Sequence, residues 1–182
     1  KTLLSNGLPR TFQVLSPAAA GTYPVLLLLH GNGGTGGGFL EQFQTIGNLA
    51  ATHHLVAPTG DQNSWNVVAE ASTLDDAGFV GRDLVNHLAA FRNVEPVFKL
   101  LGHSNGAALT NRILIENDDP RITHAITDVS QLNTHQFHSG NFYIGGPTNA
   151  YTTAKTALTP RKVLQITGDL DTTIPAAGGE SS

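Results

Sequence analysis

Tyr23-Pro24-Val25-Leu26-Leu27-Leu28-Leu29-His30 is an unbroken apolar run entered from a proline, and six of the next eight residues, Gly31 to Gly38, are glycine. A run without polar alternation marks a strand covered on both faces, as in the middle of a parallel sheet flanked by helices. Phe39 to His53 then carries Phe39, Phe43, Ile46, Leu49 and Ala50 at helical spacing, and Leu55-Val56-Ala57-Pro58 follows as a short strand. A second unit repeats the logic. Asp75 to Phe91 sets Ala77, Val80, Leu84, Leu88 and Phe91 on one stripe, with Asp75 and Asp76 in the first turn, where the helix dipole favours anions. Glu95-Pro96 ends that helix, Val97 to Leu101 is the next strand, and Gly106 to Asn117 the next helix. Ile122 to Val129 and Lys162 to Thr167 are further strands. Alternating strands and helices predict an α/β chain with a mainly parallel sheet flanked by helices. Residues 131–159, polar and weakly periodic, read as an active-site insertion with some helix near Tyr151 to Leu158.

Residues 1–182 fit one domain of ordinary size. A net charge of -4 and the absence of any basic run argue against a nucleic-acid or anionic-membrane partner. No cysteine is present, which excludes disulfides, zinc–thiolate and iron–sulfur sites and a thiol nucleophile. Oxygen or imidazole must carry any chemistry. The run Val25 to Leu29 is far short of the ~20 residues a membrane helix needs. The chain starts at Lys1 and holds no methionine, so a start codon, or a signal peptide with it, is expected to have been removed or left unrecorded.

Three constellations point to chemistry. Gly102-His103-Ser104-Asn105-Gly106 is a G-x-S-x-G between an expected strand and an expected helix. Small residues two places either side of Ser104 let the chain fold back and leave its hydroxyl exposed at the sheet's carboxyl edge as a nucleophile. The turn also aims the Asn105 amide at the same spot. His30-Gly31-Asn32-Gly33-Gly34 follows the central strand, and its amides can approach a substrate oxygen closely. Acyl transfer needs two such donors for the oxyanion, and Asn32 and Asn105 are the candidates. Gly31-x-Gly33-x-x-Gly36 also satisfies the dinucleotide fingerprint. However, no helix opens at once, and the second strand ends in Ala57-Pro58-Thr59-Gly60 with Asp61 the only acid nearby. Third, Val163 to Thr167 delivers Asp169 and Asp171 into a loop. Asp171 fits the carboxylate that orients a catalytic histidine, and Ser before Asp is the order of the α/β-hydrolase triad.

Together with Ser64-Trp65-Asn66, Asp75-Asp76-Ala77-Gly78-Phe79 and Gly168-x-x-Asp171-x-x-Ile174-Pro175-x-x-Gly178-Gly179, these motifs resemble the polyhydroxybutyrate depolymerase and feruloyl esterase branch of the α/β-hydrolases, from about Arg10 to Gly179. The resemblance implies a mostly secreted or periplasmic serine esterase acting on small-molecule or polymer esters of polyester, feruloyl or acetyl-xylan type, without metal or organic cofactor. It implies Ser104 as nucleophile, Asp171 as acid, and a structural role for Asp75, Asp76 and Phe79. Trp65 and His103 are expected to bind substrate; Trp65, Phe142, Tyr143 and Tyr151 offer an aromatic wall for a feruloyl ring, although aromatic residues in such positions are more often core or loop packing. The family often carries cysteines, absent here. Its catalytic histidine follows the acid, whereas all eight histidines of this chain precede Asp171. The base is therefore expected beyond Ser182, in a last strand and helix that this sequence lacks. The rival expectations are a catalytically inactive binding module of the same fold and, on the glycine loop alone, a nucleotide-binding protein.

Overall fold

The computed structural model describes residues 1–130 and 132–176. Near its amino terminus Asn6 and Gly7 take φ of 50° and 78°, the pair of positive values that a tight two-residue hairpin turn requires. They join β1 (Thr2–Ser5) to β2 (Leu8–Leu15) as an antiparallel ribbon, two strands beyond those expected. There follow β3 (Tyr23–Leu29), α1 (Gly36–Phe43), α2 (Leu49–Thr52), β4 (His54–Pro58), α3 (Asp76–Gly78), a π-helical turn (Phe79–Leu84) and α4 (Val85–Ala89). Then come β5 (Val94–His103), α5 (Asn105–Glu116), β6 (Ile122–Asp128), the short strands β7 (Phe137–His138), β8 (Asn141–Ile144) and β9 (Thr153–Lys155), and β10 (Lys162–Ile166). The main sheet runs β1-β2-β4-β3-β5-β6-β10. Its first two pairings are antiparallel and every pairing from β4 onward is parallel.

The unbroken run of β3 is explained by its position. Val25, Leu27 and Leu29 pack with Phe79, Leu84, Leu109 and Ile113 beneath the helices on one face. Leu26 and Leu28 pack with Phe39, Leu40 and Leu55 beneath α1 on the other. Period two along the strand feeds two cores, so neither face tolerates a polar residue.

Several elements differ from the sequence expectation. The helix expected over residues 39–53 is two helices, α1 and α2. Thr35 caps α1 by accepting from the Gly38 amide at 3.2 Å, and Gly47 at φ 50° interrupts the chain before α2. The strand expected from Val97 extends back across Pro96 to Val94. The helix expected near Tyr151 to Leu158 is instead β9, paired antiparallel to β8. Tyr151 sits at φ 47°, outside any right-handed helix, and Thr152-Thr153 favours extended chain.

Asp75 caps α3, its carboxylate accepting from the Gly78 amide at 2.8 Å. Asp76 is fully buried and accepts from Arg10, from the Asn66 amide at 2.7 Å and from Ser72 Oγ at 2.7 Å, while Arg10 lies 4.2 Å over the Phe79 ring. Asp75, Asp76 and Phe79 are thus structural. Arg112, on α5, is buried and reaches three segments: Glu116 at 2.8 Å, Asn66 O at 2.8 Å, and Asn149 Oδ1 at 2.7 Å together with Gly146 O. β10 stands apart, because Val163, Leu164 and Ile166 are about half exposed although they alternate between its two faces. Among the described residues no helix is long and apolar enough to cross a membrane.

Candidate active site

Ser104 occupies the turn from β5 into α5 at φ 52° and ψ −121°, a conformation that a residue with a Cβ enters only under constraint. The flanking glycines supply the constraint. A Cβ on Gly102 would lie 2.2 Å from Gly106 O, and one on Gly106 would lie 2.2 Å from Leu29 O, so each backbone rests directly on the next. The Ser104 amide donates to Asp128 O at 2.9 Å, and its carbonyl accepts from the amides of Ala107 and Ala108 at 2.8 and 3.0 Å. Its side chain makes no capping bond and is partly exposed.

Of the two residues expected to hold an oxyanion, Asn105 follows this serine in sequence, and Asn32 follows Gly31, where a Cβ would lie 3.4 Å from Ser104 Cβ. In the glycine loop, the Gly33 amide donates to Asn63 O at 2.8 Å and the Gly34 amide to Gly31 O at 3.0 Å. The Asn32 amide is left without a protein acceptor among the described residues, as is that of Asn105 at the first position of α5. With two of its amides turned inward, the loop does not form the phosphate cradle of the nucleotide-binding reading. Gly36 is spoken for as well, since a Cβ there would lie 2.2 Å from Ala57 O.

His30 fixes the loop. Its Nε2 accepts from the Gly60 amide at 3.1 Å, so Nδ1 carries the proton and donates to Gly31 O at 2.8 Å. Burial holds its pKa below the usual value, and with Nε2 already accepting from Gly60 its lone pair is taken. Trp65 is fully buried; its Nε1 donates to His30 O at 2.8 Å and its ring lies 4.7 Å from the imidazole. That enclosure corrects the expectation that Trp65 lines the substrate: it supports the loop from below. The rest of the expected aromatic wall is also elsewhere. Tyr151 is buried, with its hydroxyl on Val67 O at 2.6 Å and its pKa pushed up to about 12 by burial. Phe142 packs on Phe137, and Tyr143 stacks on His138 at 3.8 Å, both in the small β7-β8-β9 sheet.

Asp171 follows β10 at the carboxyl edge that also carries Ser104. Between their strands lies only β6, so two strand spacings, ~10 Å, separate the two lines of chain. One carboxylate oxygen of Asp171, Oδ1, accepts from the amides of Thr173 and Ile174 at 2.8 and 2.9 Å, and these bonds hold its pKa below the usual value. Oδ2 has no partner among the described residues. Gly178 and Gly179 of the same motif, and Gln131 at the start of the insertion, lie outside them.

No histidine bonds Ser104 or Asp171 among the described residues. His135 rests against Tyr151 at 5.7 Å, and His138 bonds Thr134 O at 2.9 Å. His103 is the histidine nearest Ser104 in sequence, and its Nδ1 lies 2.7 Å from Asp128 Oδ2. Asp128, at the end of β6, was not anticipated; its one signal is an acid closing a strand of apolar alternation.

No family model matches the chain, and no curated protein does. Solved structures do. The chain is similar to a phospholipase/carboxylesterase from Dyadobacter fermentans at TM-score 0.65 and 19% identity, covering 93% of this chain and 77% of that one. It is also similar to a lipase/esterase from Lactobacillus plantarum, at TM-score 0.63 and 16% identity over 97% and 81%. Against a 2,6-dihydroxy-pseudo-oxynicotine hydrolase the TM-score is 0.57 and the identity 19%, and the chain spans 37% of that protein's length. These likenesses, with the sheet order above, show an α/β-hydrolase fold.

Proposed function

We propose that the protein is a serine carboxylesterase working through an acyl-enzyme on Ser104. The observation that carries this is the strained Ser104 turn, beside the Gly31 loop, with the amides of Asn32 and Asn105 unpartnered among the described residues. Strain at a residue with a Cβ persists only where the surroundings enforce it, and here the result is a hydroxyl held clear of the helix it precedes. The esterase and lipase descriptions of the structural neighbours support the same reading. In it, Ser104 Oγ attacks the ester carbonyl, the two amides hold the oxyanion, the alcohol leaves, and water releases the acid.

Asp171 orients the imidazole that takes the serine proton. Its Oδ1 is tied down by two amides while Oδ2 stays open, the state of a carboxylate that awaits a donor. Among the described residues none of the eight histidines of the chain bonds either partner. Feruloyl, acetyl-xylan or hydroxyalkanoate esters are the substrate classes, and the protein acts outside the cytoplasm. A biotinylated fluorophosphonate tests the mechanism. Reaction of the full-length enzyme at Ser104, located by peptide mass and lost in Ser104→Ala, is the expected result; a folded enzyme that takes no label at any concentration refutes it.

A further inference from the structure

We propose that His103, held by Asp128, determines specificity by accepting a hydrogen bond from a hydroxyl of the substrate next to the scissile ester. This rests on the ester-hydrolase reading of Ser104 and names the substrate feature it selects. His103 ends β5 and stands opposite Asp128 in the parallel ladder, where Nδ1 lies 2.7 Å from the carboxylate. An ionised carboxylate can only accept, so the neutral imidazole carries its proton on Nδ1 and keeps its lone pair on Nε2. Among the described residues nothing donates to that Nε2.

The direction of the free nitrogen matters. A Cβ built on Gly31 would lie 3.2 Å from His103 Cδ2 and 3.4 Å from Ser104 Cβ. Cδ2 is bonded to Nε2, so the unpartnered edge of the ring and Ser104 Cβ both lie against Gly31 of the glycine loop. Phe39 flanks the ring at 6.3 Å. His103 and Asp128 are 45% and 35% exposed, open enough for a ligand to reach. A ring nitrogen fixed this close to Ser104, and accepting through Nε2, selects a donor, and on an ester that donor is a hydroxyl. It belongs either to a hydroxyacyl group or to a polyol on the alcohol side. Asp128 is a positioning residue here, acting only through the tautomer and orientation of His103.

Two matched ester pairs test this on the full-length enzyme. p-Nitrophenyl 3-hydroxybutyrate against p-nitrophenyl butyrate reads the acyl side, and glyceryl monobutyrate against propyl butyrate reads the alcohol side. In one pair the hydroxylated ester is expected to be favoured about 3- to 10-fold in kcat/KM, the net worth of one neutral hydrogen bond. His103→Phe, which keeps a ring but no acceptor, brings that ratio close to 1. Asp128→Asn, whose amide can donate to Nδ1 and move the proton to Nε2, lowers it, and His103→Gln, which retains an acceptor oxygen, restores part of it. The pair that collapses identifies the side. A ratio near 1 in the wild-type enzyme, or one unmoved in folded His103→Phe and Asp128→Asn, overturns the proposal while leaving esterase activity intact. Absence of both turnover and phosphonate labelling overturns the ester reading and this inference with it.

Discussion

The side chain of Asn105 clamps the backbone of Trp65: Oδ1 accepts from the Trp65 amide at 2.7 Å, and Nδ2 donates to the Trp65 carbonyl at 3.0 Å. The first residue of α5 is thereby tied to the segment whose indole supports His30 and the glycine loop. Asn105→Ala leaves both Trp65 groups without a partner, at a cost of about 1–3 kcal/mol for each buried group that water cannot reach. The expected outcome is a lower urea midpoint together with slower phosphonate labelling of Ser104. Equal labelling rates at full occupancy of the folded state would show that the clamp does not align the turn.

Ser104 lies in a backbone region where glycine is unstrained and alanine is not. Ser104→Gly is therefore expected to unfold at higher urea than Ser104→Ala, by about 1–2 kcal/mol, the usual size of strain released at such sites. Both substitutions remove the hydroxyl, so the stability difference between them does not depend on it. An alanine variant as stable as the glycine variant would mean that the turn stores no strain.

His30 and His53 both have pKa values held down in the folded protein, in each case chiefly by burial, with Lys99 adding to the effect at His53. The unfolded chain therefore binds more protons than the folded one just below the ordinary histidine pKa of about 6.5. Stability contributed by keeping these rings neutral is present at neutral pH and is lost as pH falls through that value toward the lower folded-state pKa. The carboxylates with lowered pKa, Asp83, Asp119 and Asp171, act with the same sign at lower pH: their contribution is present above the unfolded carboxylate value and is lost only in stronger acid. Urea midpoints should fall between pH 7 and pH 5, and His30→Gln should flatten that slope. A slope unchanged in His30→Gln would move the titration to other groups.

β10 offers an outer edge and two half-exposed apolar faces at Val163, Leu164 and Ile166. Bare edges of this composition pair with other strands. Residues 1–182 should bind an apolar dye and elute as associated species, and Val163→Lys with Leu164→Lys should return them toward monomer; elution as monomer without dye binding would show that this edge does not pair.

What was legible in the sequence follows from how local each determinant is. The central strand shows itself because burial on both faces removes every polar residue from β3, and the serine turn because Gly102 and Gly106 have no room for a Cβ. The β1–β2 hairpin had its own local sign, the Asn6-Gly7 pair, and the break before α2 had another in Gly47. The inward turn of Trp65 had none. An aromatic residue reads the same whether it faces a ligand or a core, and only the distant His30 carbonyl and Asn105 amide decide between them. The His103–Asp128 pair was equally hidden, because it depends on the register between β5 and β6, a relation of residues 25 positions apart.

Arg112 has a consequence for how separate segments hold together. Its guanidinium is buried among groups from three separate stretches of chain, Asn66, Glu116 on its own helix, and the turn holding Gly146 and Asn149. Until all three have arrived, burying that charge is prohibitively unfavourable; once they have, withdrawing any one of them is. The 145–151 turn, α5 and Asn66 are thus bound to one another through a single buried charge, so loosening any one of them leaves that charge stranded.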